Sequence, residues 1–130
     1  MNATDARGAP LVSVVIPTYN HARVLGRALA SVVAQTVRDW EAIVVNNHST
    51  DDTRAVVERI GDPRIGLVDY ANHGVIAASR NEGIRRARGR YVAFLDSDDE
   101  WMPEKLEACL ALMQPAVGLV GHGEDRKSVV

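Results

Sequence analysis

The stretch Tyr91-Val-Ala-Phe-Leu-Asp-Ser-Asp-Asp99 joins an apolar strand to three closely spaced carboxylates. The apolar half is typical of a buried strand, and the acidic half marks its carboxyl end. Carboxylates this close together repel one another unless a cation or hydrogen-bond donors stabilise them. The spacing therefore predicts Mg²⁺ or Mn²⁺, which usually takes one or two protein carboxylates and completes its shell with water and phosphate oxygens. The other interpretation is that the aspartates only cap the helix that follows.

Apolar strands and helices with an apolar stripe alternate along the rest of the chain. Strands are predicted at 11–16, 41–45, 64–68, 91–95 and 117–120, and helices at 22–35, 52–60, 75–87 and 103–113. Such alternation implies parallel strands joined by right-handed crossovers. The predicted fold class is α/β, with a doubly wound, mostly parallel sheet and helices on both faces. The expected organisation is a flexible leader (1–10), one domain (11–121) and an irregular tail (122–130).

Composition narrows the class of protein. The 130 residues suit one compact unit, and 46% hydrophobic with 25% charged residues excludes general disorder. A net charge of −2 argues against a nucleic-acid binder. Cys109 is the single cysteine, which predicts a reducing cytoplasm. No apolar run approaches the ~18 residues of a membrane span. A membrane association would therefore be peripheral, at the inner face, or would lie outside this chain, and oligomerisation stays open.

The only basic cluster comprises Arg85, Arg86, Arg88 and Arg90. These arginines are expected near the carboxyl end of a helix that Gly89 caps, where cations complement the helix dipole. The alternative interpretation is that the cluster attracts phosphates or an anionic membrane surface.

Polar residues follow each of the first four predicted strands. In an open α/β sheet, ligands bind outside the carboxyl ends of the strands, so these loops together predict a polar, phosphate-bearing ligand. They also contain three Asn-His dipeptides. Because the three histidines lie on separate loops, a zinc site is disfavoured. The loops are 18–20, 46–49, 69–74 and 96–99, and the dipeptides are 20–21, 47–48 and 72–73.

Several ordered motifs resemble the nucleotide-binding half of family 2 glycosyltransferases. The resemblance implies a GT-A fold, a nucleotide-sugar donor with UDP-sugar favoured, and metal-assisted transfer with inversion to an acceptor that the sequence does not identify. The motifs are Val12-Ser-Val-Val-Ile-Pro-Thr-Tyr-Asn20, Ser31-Val-Val-Ala-Gln-Thr36, Ser49-Thr-Asp-Asp-Thr53, Ala78-Ser-Arg-Asn-Glu-Gly83 and Gly89-Arg-Tyr-Val-Ala-Phe-Leu-Asp-Ser-Asp-Asp99.

The resemblance also implies residue roles on the base side of the donor. Tyr19 would flank the base, with Thr18 and Asn20 shaping that edge. Asn47 stands where the family usually has an aspartate that recognises the base, so a hydrogen bond there loses its charge assistance. His48 stands where the family usually has a glycine, at a position that is expected to need φ > 0.

On the phosphate side, the resemblance implies that Arg80 contacts the base or diphosphate. The acidic cluster is similar to the family's DxD element, with Asp96 approaching the ribose and Asp98 binding the metal. Asp99 is an alternative metal ligand, because the run Asp98-Asp99 permits a shift of one residue.

Besides the replacements at Asn47 and His48, the chain departs from the family in its length. The family's acceptor region and catalytic carboxylate follow the DxD element at a distance, and this chain ends soon after it. We therefore expect a truncated protein that binds donor, with its base outside the chain. One alternative is a non-catalytic nucleotide-binding or assembly module. Another is a sugar-nucleotide nucleotidyltransferase, which is disfavoured because no glycine-rich, lysine-containing loop follows the first strand.

Overall fold

The computed structural model describes residues 8–113 and 128–130. In these ranges the chain alternates strand and helix, as the sequence predicts. The strands are β1 (Val12–Thr18), β2 (Trp40–Asn46), β3 (Ile65–Asp69), β4 (Tyr91–Phe94) and β5 (Ser128–Val129), and the helices are α1 (Ala22–Val33), α2 (Thr53–Ile60), α3 (Ile76–Arg86) and α4 (Lys105–Met113).

The strands form one sheet in the order β3-β2-β1-β4-β5, and every pairing is parallel. The chain builds outward from β1 through β2 to β3, then crosses back to place β4 on the other side of β1. In register, Val12 lies opposite Trp40 on one side and Tyr91 on the other. The strand order therefore reverses between β1 and β4, and the carboxyl ends of these two strands flank the switch point.

Helices cover both faces of the sheet. On one face, Val12, Val14 and Ile16 of β1 pack with Leu25 of α1 and with residues of α2 and α4 in a single buried cluster. On the other face, Val15 packs with strand residues and with Ile84 and Ala87 at the end of α3. Because side chains alternate along a strand, the nearly continuous apolar run of β1 supplies both cores. The doubly wound α/β prediction is confirmed.

The ends of the chain differ from the prediction at one element. β5 lies within the predicted irregular tail and pairs Ser128 with Tyr91 at the sheet edge. Two residues carry too little pattern for the sequence to indicate a strand. The strand predicted at 117–120 lies outside the described residues. No helix in the described ranges is long and apolar enough to cross a membrane.

The predicted glycine cap of α3 is wrong. The helix ends at Arg86, with Ala87 as its C-cap. Gly89 instead lies against β1, where a Cβ atom would stand 2.7 Å from the Ser13 nitrogen and 2.8 Å from the Val12 carbonyl carbon. The glycine is thus required by the close approach of two backbones.

The basic cluster is largely paired with nearby carboxylates. Arg85 and Arg86 both donate to Glu82, and their guanidinium groups hold the pKa of Glu82 below its ordinary value. Arg88 donates to Glu41 at 3.2 Å. These contacts favour the structural interpretation of the cluster over a free anion-binding surface.

Candidate functional site

The candidate site lies at the carboxyl edge of the sheet, at the switch point between β1 and β4. Loops from both strands meet there, and the loops after β2 and β3 lie beside them on one side. Ligands of open α/β sheets bind in such a crevice, because the flanking loops diverge to opposite faces of the sheet. The strand order thus brings the acidic stretch next to the residues that follow β1.

The acidic residues form a tight turn. The Asp99 amide donates to the Asp96 carbonyl at 3.0 Å, which closes the turn. Ser97 is buried, whereas Asp96, Asp98 and Asp99 are exposed. Within the described part of the chain, the carboxylates of Asp98 and Asp99 have neither a hydrogen-bond partner nor an ion pair. Two carboxylates therefore remain available to a ligand or metal.

Helix α3 contributes a cation to this turn. Arg80 lies 3.6 Å from the Asp96 carboxylate, and both side chains are about half exposed. A pair this exposed contributes little stability, about 0–1 kcal/mol. The ion pair matters for the site because it places Arg80, the predicted donor contact, next to Asp96, the predicted ribose contact.

Of the three residues predicted on the base side in the loop after β1, Tyr19 is the one whose side chain is exposed and makes no hydrogen bond within the described residues. Thr18 is buried, and its hydroxyl has no partner within the described residues. Asn20 has φ +52°, and its side-chain oxygen accepts from the Thr50 amide at 2.8 Å. Tyr19 is 54% exposed. The loop is therefore tied to the segment after β2 and presents the Tyr19 ring outward.

Asn46, which the sequence analysis did not single out, organises the loop after β2. Its side-chain oxygen accepts from the Ser49 hydroxyl at 2.6 Å and the Ser49 amide at 3.2 Å, and its amide nitrogen donates to Asp69 at 3.0 Å. The signal in the sequence was only an asparagine at a strand end with a serine three residues later, a composition common in turns.

Asn47 contacts the loop after β3. Its side-chain oxygen accepts from the Asn72 amide at 3.0 Å, so the side chain is partly used in joining two loops. His48 has φ +48°, which confirms that this position needs the left-handed region. The neighbouring Asn72 is buried and donates to Ser79 of α3 at 2.9 Å.

The start of α2 is held by Asp51. Its carboxylate accepts from the Thr53 amide at 3.2 Å and from the Ala22 amide of α1 at 3.0 Å. The Thr53 hydroxyl also donates to it, and this bond is the main reason that the pKa of Asp51 is lowered. Because Asp51 bridges to α1, the loops after β1 and β2 form one unit.

Two further contacts that the sequence analysis missed hold the acidic segment against α1. The His21 Nδ1 atom lies 2.6 Å from the Ser97 hydroxyl. Fully buried Gln35 accepts from the Leu106 amide at 2.9 Å and donates to the Met102 carbonyl at 2.7 Å. Neither contact was predictable, because each joins residues that are distant in sequence.

Within the described ranges, no group of three or more His, Cys, Asp or Glu side chains is arranged to bind a metal ion. Two exposed carboxylates without partners nonetheless fit Mg²⁺ or Mn²⁺. These ions often bind through one or two carboxylates and take their remaining ligands from water and phosphate.

A comparison with known protein families gives a match over most of the chain. Residues 13–126 match the family described as Glycosyl transferase family 2. The chain belongs to this family. Its α/β architecture is the GT-A fold of such glycosyltransferases, and it resembles solved members of the family closely.

One similar family 2 protein is the Escherichia coli UDP-Glc:alpha-D-GlcNAc-diphosphoundecaprenol beta-1,3-glucosyltransferase WfgD. It is 39% identical over 103 residues, which cover 79% of this chain and 41% of that protein. The crystal structure of S. aureus TarS in complex with UDP-GlcNAc has a TM-score of 0.75 and 30% identity, covering 81% of this chain and 31% of that one.

A third similar structure is that of the mannosyltransferase PcManGT from Pyrobaculum calidifontis in complex with GDP-Man and Mn²⁺. It has a TM-score of 0.73 and 28% identity, covering 86% of this chain and 34% of that one. The chain therefore spans well under half the length of the relatives that it matches.

Proposed function

We propose that this chain is the donor-binding part of an inverting, metal-dependent glycosyltransferase that uses a nucleoside-diphosphate sugar, with UDP-sugar favoured. The observation that carries the proposal is the pair of exposed carboxylates of Asp98 and Asp99, which have no partner within the described residues and lie at the switch point beside the loop of Tyr19. Family membership and the UDP-GlcNAc bound by the similar TarS support a nucleotide-sugar ligand.

In this proposal Asp98 holds Mn²⁺ or Mg²⁺, with Asp99 as the alternative ligand. The bound ion supplies Lewis-acid stabilisation of the negative charge that the leaving diphosphate gains. The Mn²⁺ in the similar PcManGT complex supports this cofactor class. Asp96 accepts hydrogen bonds from the ribose, while Arg80 keeps Asp96 in place and offers its free donors to the diphosphate.

The base side of the proposed site consists of Tyr19 and Asn47. Tyr19 is exposed and presents an aromatic ring against which a base can pack. Thr18 and Asn20 fix the direction in which that ring points, because Asn20 is tied to Thr50 and Thr18 is buried. Asn47 offers an amide to the base edge while holding the Asn72 backbone.

Calorimetry tests the proposed donor class. We expect UDP to bind more tightly than GDP in Mn²⁺ and to lose most of its affinity when EDTA replaces the metal. UDP and GDP affinities that stay unchanged when the metal is removed would contradict the assignment of the acidic turn.

Replacing Asn47 with aspartate is expected to tighten UDP binding by about 1 kcal/mol, or roughly 5-fold. One carboxylate oxygen would keep the Asn72 amide, and the other would accept the imide N–H of uracil with charge assistance. CDP is the matched ligand control, because cytosine has no imide N–H. An equal gain for both nucleotides, or no gain for UDP, would show that Asn47 does not read the base.

Sugar transfer by these 130 residues alone is expected to be absent. Asp96, Asp98 and Asp99 are assigned to ribose and metal, and Glu100 precedes α4 at an exposed position. Loss of general-base help costs about 10²- to 10⁴-fold in rate. The measurement is diphosphate release from a panel of UDP- and GDP-sugars with Mn²⁺ and mixed acceptors. Acceptor-dependent release would require a base within residues 100–130.

We also infer a cytoplasmic location, at the inner face of the membrane. The single cysteine favours a reducing compartment. The name of the similar WfgD specifies a lipid-linked diphosphate acceptor for that protein. A lipid-linked acceptor for this chain would explain a peripheral membrane association.

A further inference from the structure

The contact between His21 and Ser97 spans the switch point of the sheet. His21 follows β1 and Ser97 follows β4, and their side chains meet at 2.6 Å although 76 residues separate them in sequence. Either group can donate, because a hydroxyl rotates to suit its partner and a neutral imidazole carries one donor and one acceptor. This pair is thus a direct side-chain link between the two loops that flank the candidate site.

Ser97 occupies the centre of the acidic turn and points the opposite way from its neighbours. Its side chain is 3% exposed, whereas Asp96 and Asp98 on either side are exposed. Anchoring Ser97 inward restricts the backbone of the turn and so limits the directions that the flanking side chains can take. The His21 contact therefore bears on where the carboxylates of the turn point.

His21 itself is fixed by the start of α1. Its carbonyl accepts from the Val24 amide at 3.0 Å and the Leu25 amide at 2.8 Å, so it is the N-cap of the helix. Leu25 is fully buried in the core. The imidazole consequently extends from a rigid base, and a group on such a base can hold a turn in one orientation.

The other end of α1 holds the chain after the turn. Gln35 bonds to Met102 and Leu106, and the Ser31 hydroxyl accepts from the Trp101 amide at 3.1 Å. One helix thus contacts the acidic segment at two points, upstream through His21 and downstream through Ser31 and Gln35. The segment between these points contains Asp98 and Asp99.

We propose that His21 is a positioning residue that, through Ser97, orients the acidic turn so that Asp98 and Asp99 face the metal ion of the donor site. The proposal rests on the proposed function for the identity of that ligand. His21 does not touch the donor in this account. It acts only through Ser97, and because Asp98 and Asp99 are the proposed metal ligands, its effect is largest in the metal-dependent part of binding.

The experiment compares His21→Ala, Ser97→Ala and the double variant by calorimetry of UDP binding, in Mn²⁺ and in EDTA. Loss of a residue that orients a metal ligand typically costs 10- to 100-fold in metal affinity. We expect each single variant to lose about 10-fold in UDP affinity in Mn²⁺ and to lose much less in EDTA, where only the ribose contact of Asp96 depends on the turn. The double variant should lose no more than either single variant, because the two residues act through one contact.

A second readout does not depend on any ligand. The Asp99 amide closes the acidic turn, and its exchange with water can be followed by NMR. We expect His21→Ala and Ser97→Ala each to speed that exchange by about 2- to 10-fold, the effect of one net hydrogen bond. His21→Gln, which keeps a donor and an acceptor, should recover part of both effects. Arg27→Gln, an exposed change on α1, is the control that should alter neither.

The two readouts separate failure of this proposal from failure of the proposed function. If the parent chain ignores UDP while both variants speed Asp99 exchange, His21 positions the turn but the donor assignment is wrong. If UDP binds with metal and the two variants change neither its affinity nor Asp99 exchange, the positioning role is overturned. Equal losses in Mn²⁺ and EDTA would also overturn it, because they would indicate a general structural effect.

Discussion

Replacing Asp98 with asparagine is expected to weaken UDP binding in Mn²⁺ by at least about 100-fold. A metal held through this carboxylate is worth several kcal/mol, and each 1.4 kcal/mol corresponds to a factor of ten. Asparagine keeps the size of the side chain but removes its charge. Because Asp98 is exposed and has no partner within the described residues, the substitution should leave the fold intact. Calorimetry in Mn²⁺ and in EDTA measures the effect.

Two further variants show whether the effect is specific to the carboxylate of Asp98. Asp99→Asn tests the alternative ligand, and the larger loss identifies which carboxylate holds the metal. Glu58→Gln removes an exposed carboxylate on α2 and should change nothing. Wild-type affinity in both aspartate variants would contradict the metal assignment.

Replacing Gly89 with alanine is expected to destabilise the chain by about 3 kcal/mol, the upper range for inserting a methyl group into a packed site. The new Cβ would lie 2.7 Å from the Ser13 nitrogen and 2.8 Å from the Val12 carbonyl carbon. These are backbone atoms of the central strand, which cannot move without disturbing its pairing with β2 and β4. Urea unfolding followed by circular dichroism measures the change.

Gly66→Ala is the matched control for Gly89→Ala. Gly66 also lies in the sheet, on β3, but an added Cβ there meets no atom within 4 Å. We expect this substitution to be neutral or slightly stabilising, since alanine reduces the freedom of the unfolded chain. Similar unfolding free energies for the two variants would show that Gly89 is not under steric constraint.

The sequence predicts the elements well and their arrangement only in part. Apolar runs such as 12–16 indicate strands that are buried on both faces. Because such patterns are local, the alternation of strands and helices can be predicted from the sequence. The order β3-β2-β1-β4-β5 does not follow, because several parallel orders satisfy the same pattern. The pairing of β1 with β4 in this order places the acidic turn beside the loop of Tyr19.

The contacts among the polar loop residues were even less predictable from the sequence than the strand order. The sequence shows asparagines after each of the first three strands, but it does not show which residues their side chains contact. Asn46 bonds to Ser49 and Asp69, and Asn72 to Ser79, whereas Tyr19 remains exposed. Such assignments depend on loops that approach one another in space, which a linear pattern does not contain.

Several residues of the family motifs serve packing. Gly83 lies against β1, where a Cβ atom would stand 2.3 Å from a Val15 methyl group. Gln35 is buried and satisfies backbone groups of the segment before α4. A resemblance marks such positions without saying whether they contact a ligand. The structure separates them from Arg80 and Asp98, which are exposed at the site.

The most direct test of the central claim is to locate donor binding on the chain by NMR. In ¹H–¹⁵N spectra titrated with UDP and Mg²⁺, followed by a trace of Mn²⁺, we expect shifts in the loops after β1 and β2 and paramagnetic broadening centred on residues 96–99. A separate cavity of about 360 Å³ lies at the amino ends of β2 and β3, away from the acidic turn. Its lining includes Trp40, Arg64 and Arg88. Broadening centred on that cavity, or no perturbation of residues 96–99, would contradict a donor site at the switch point.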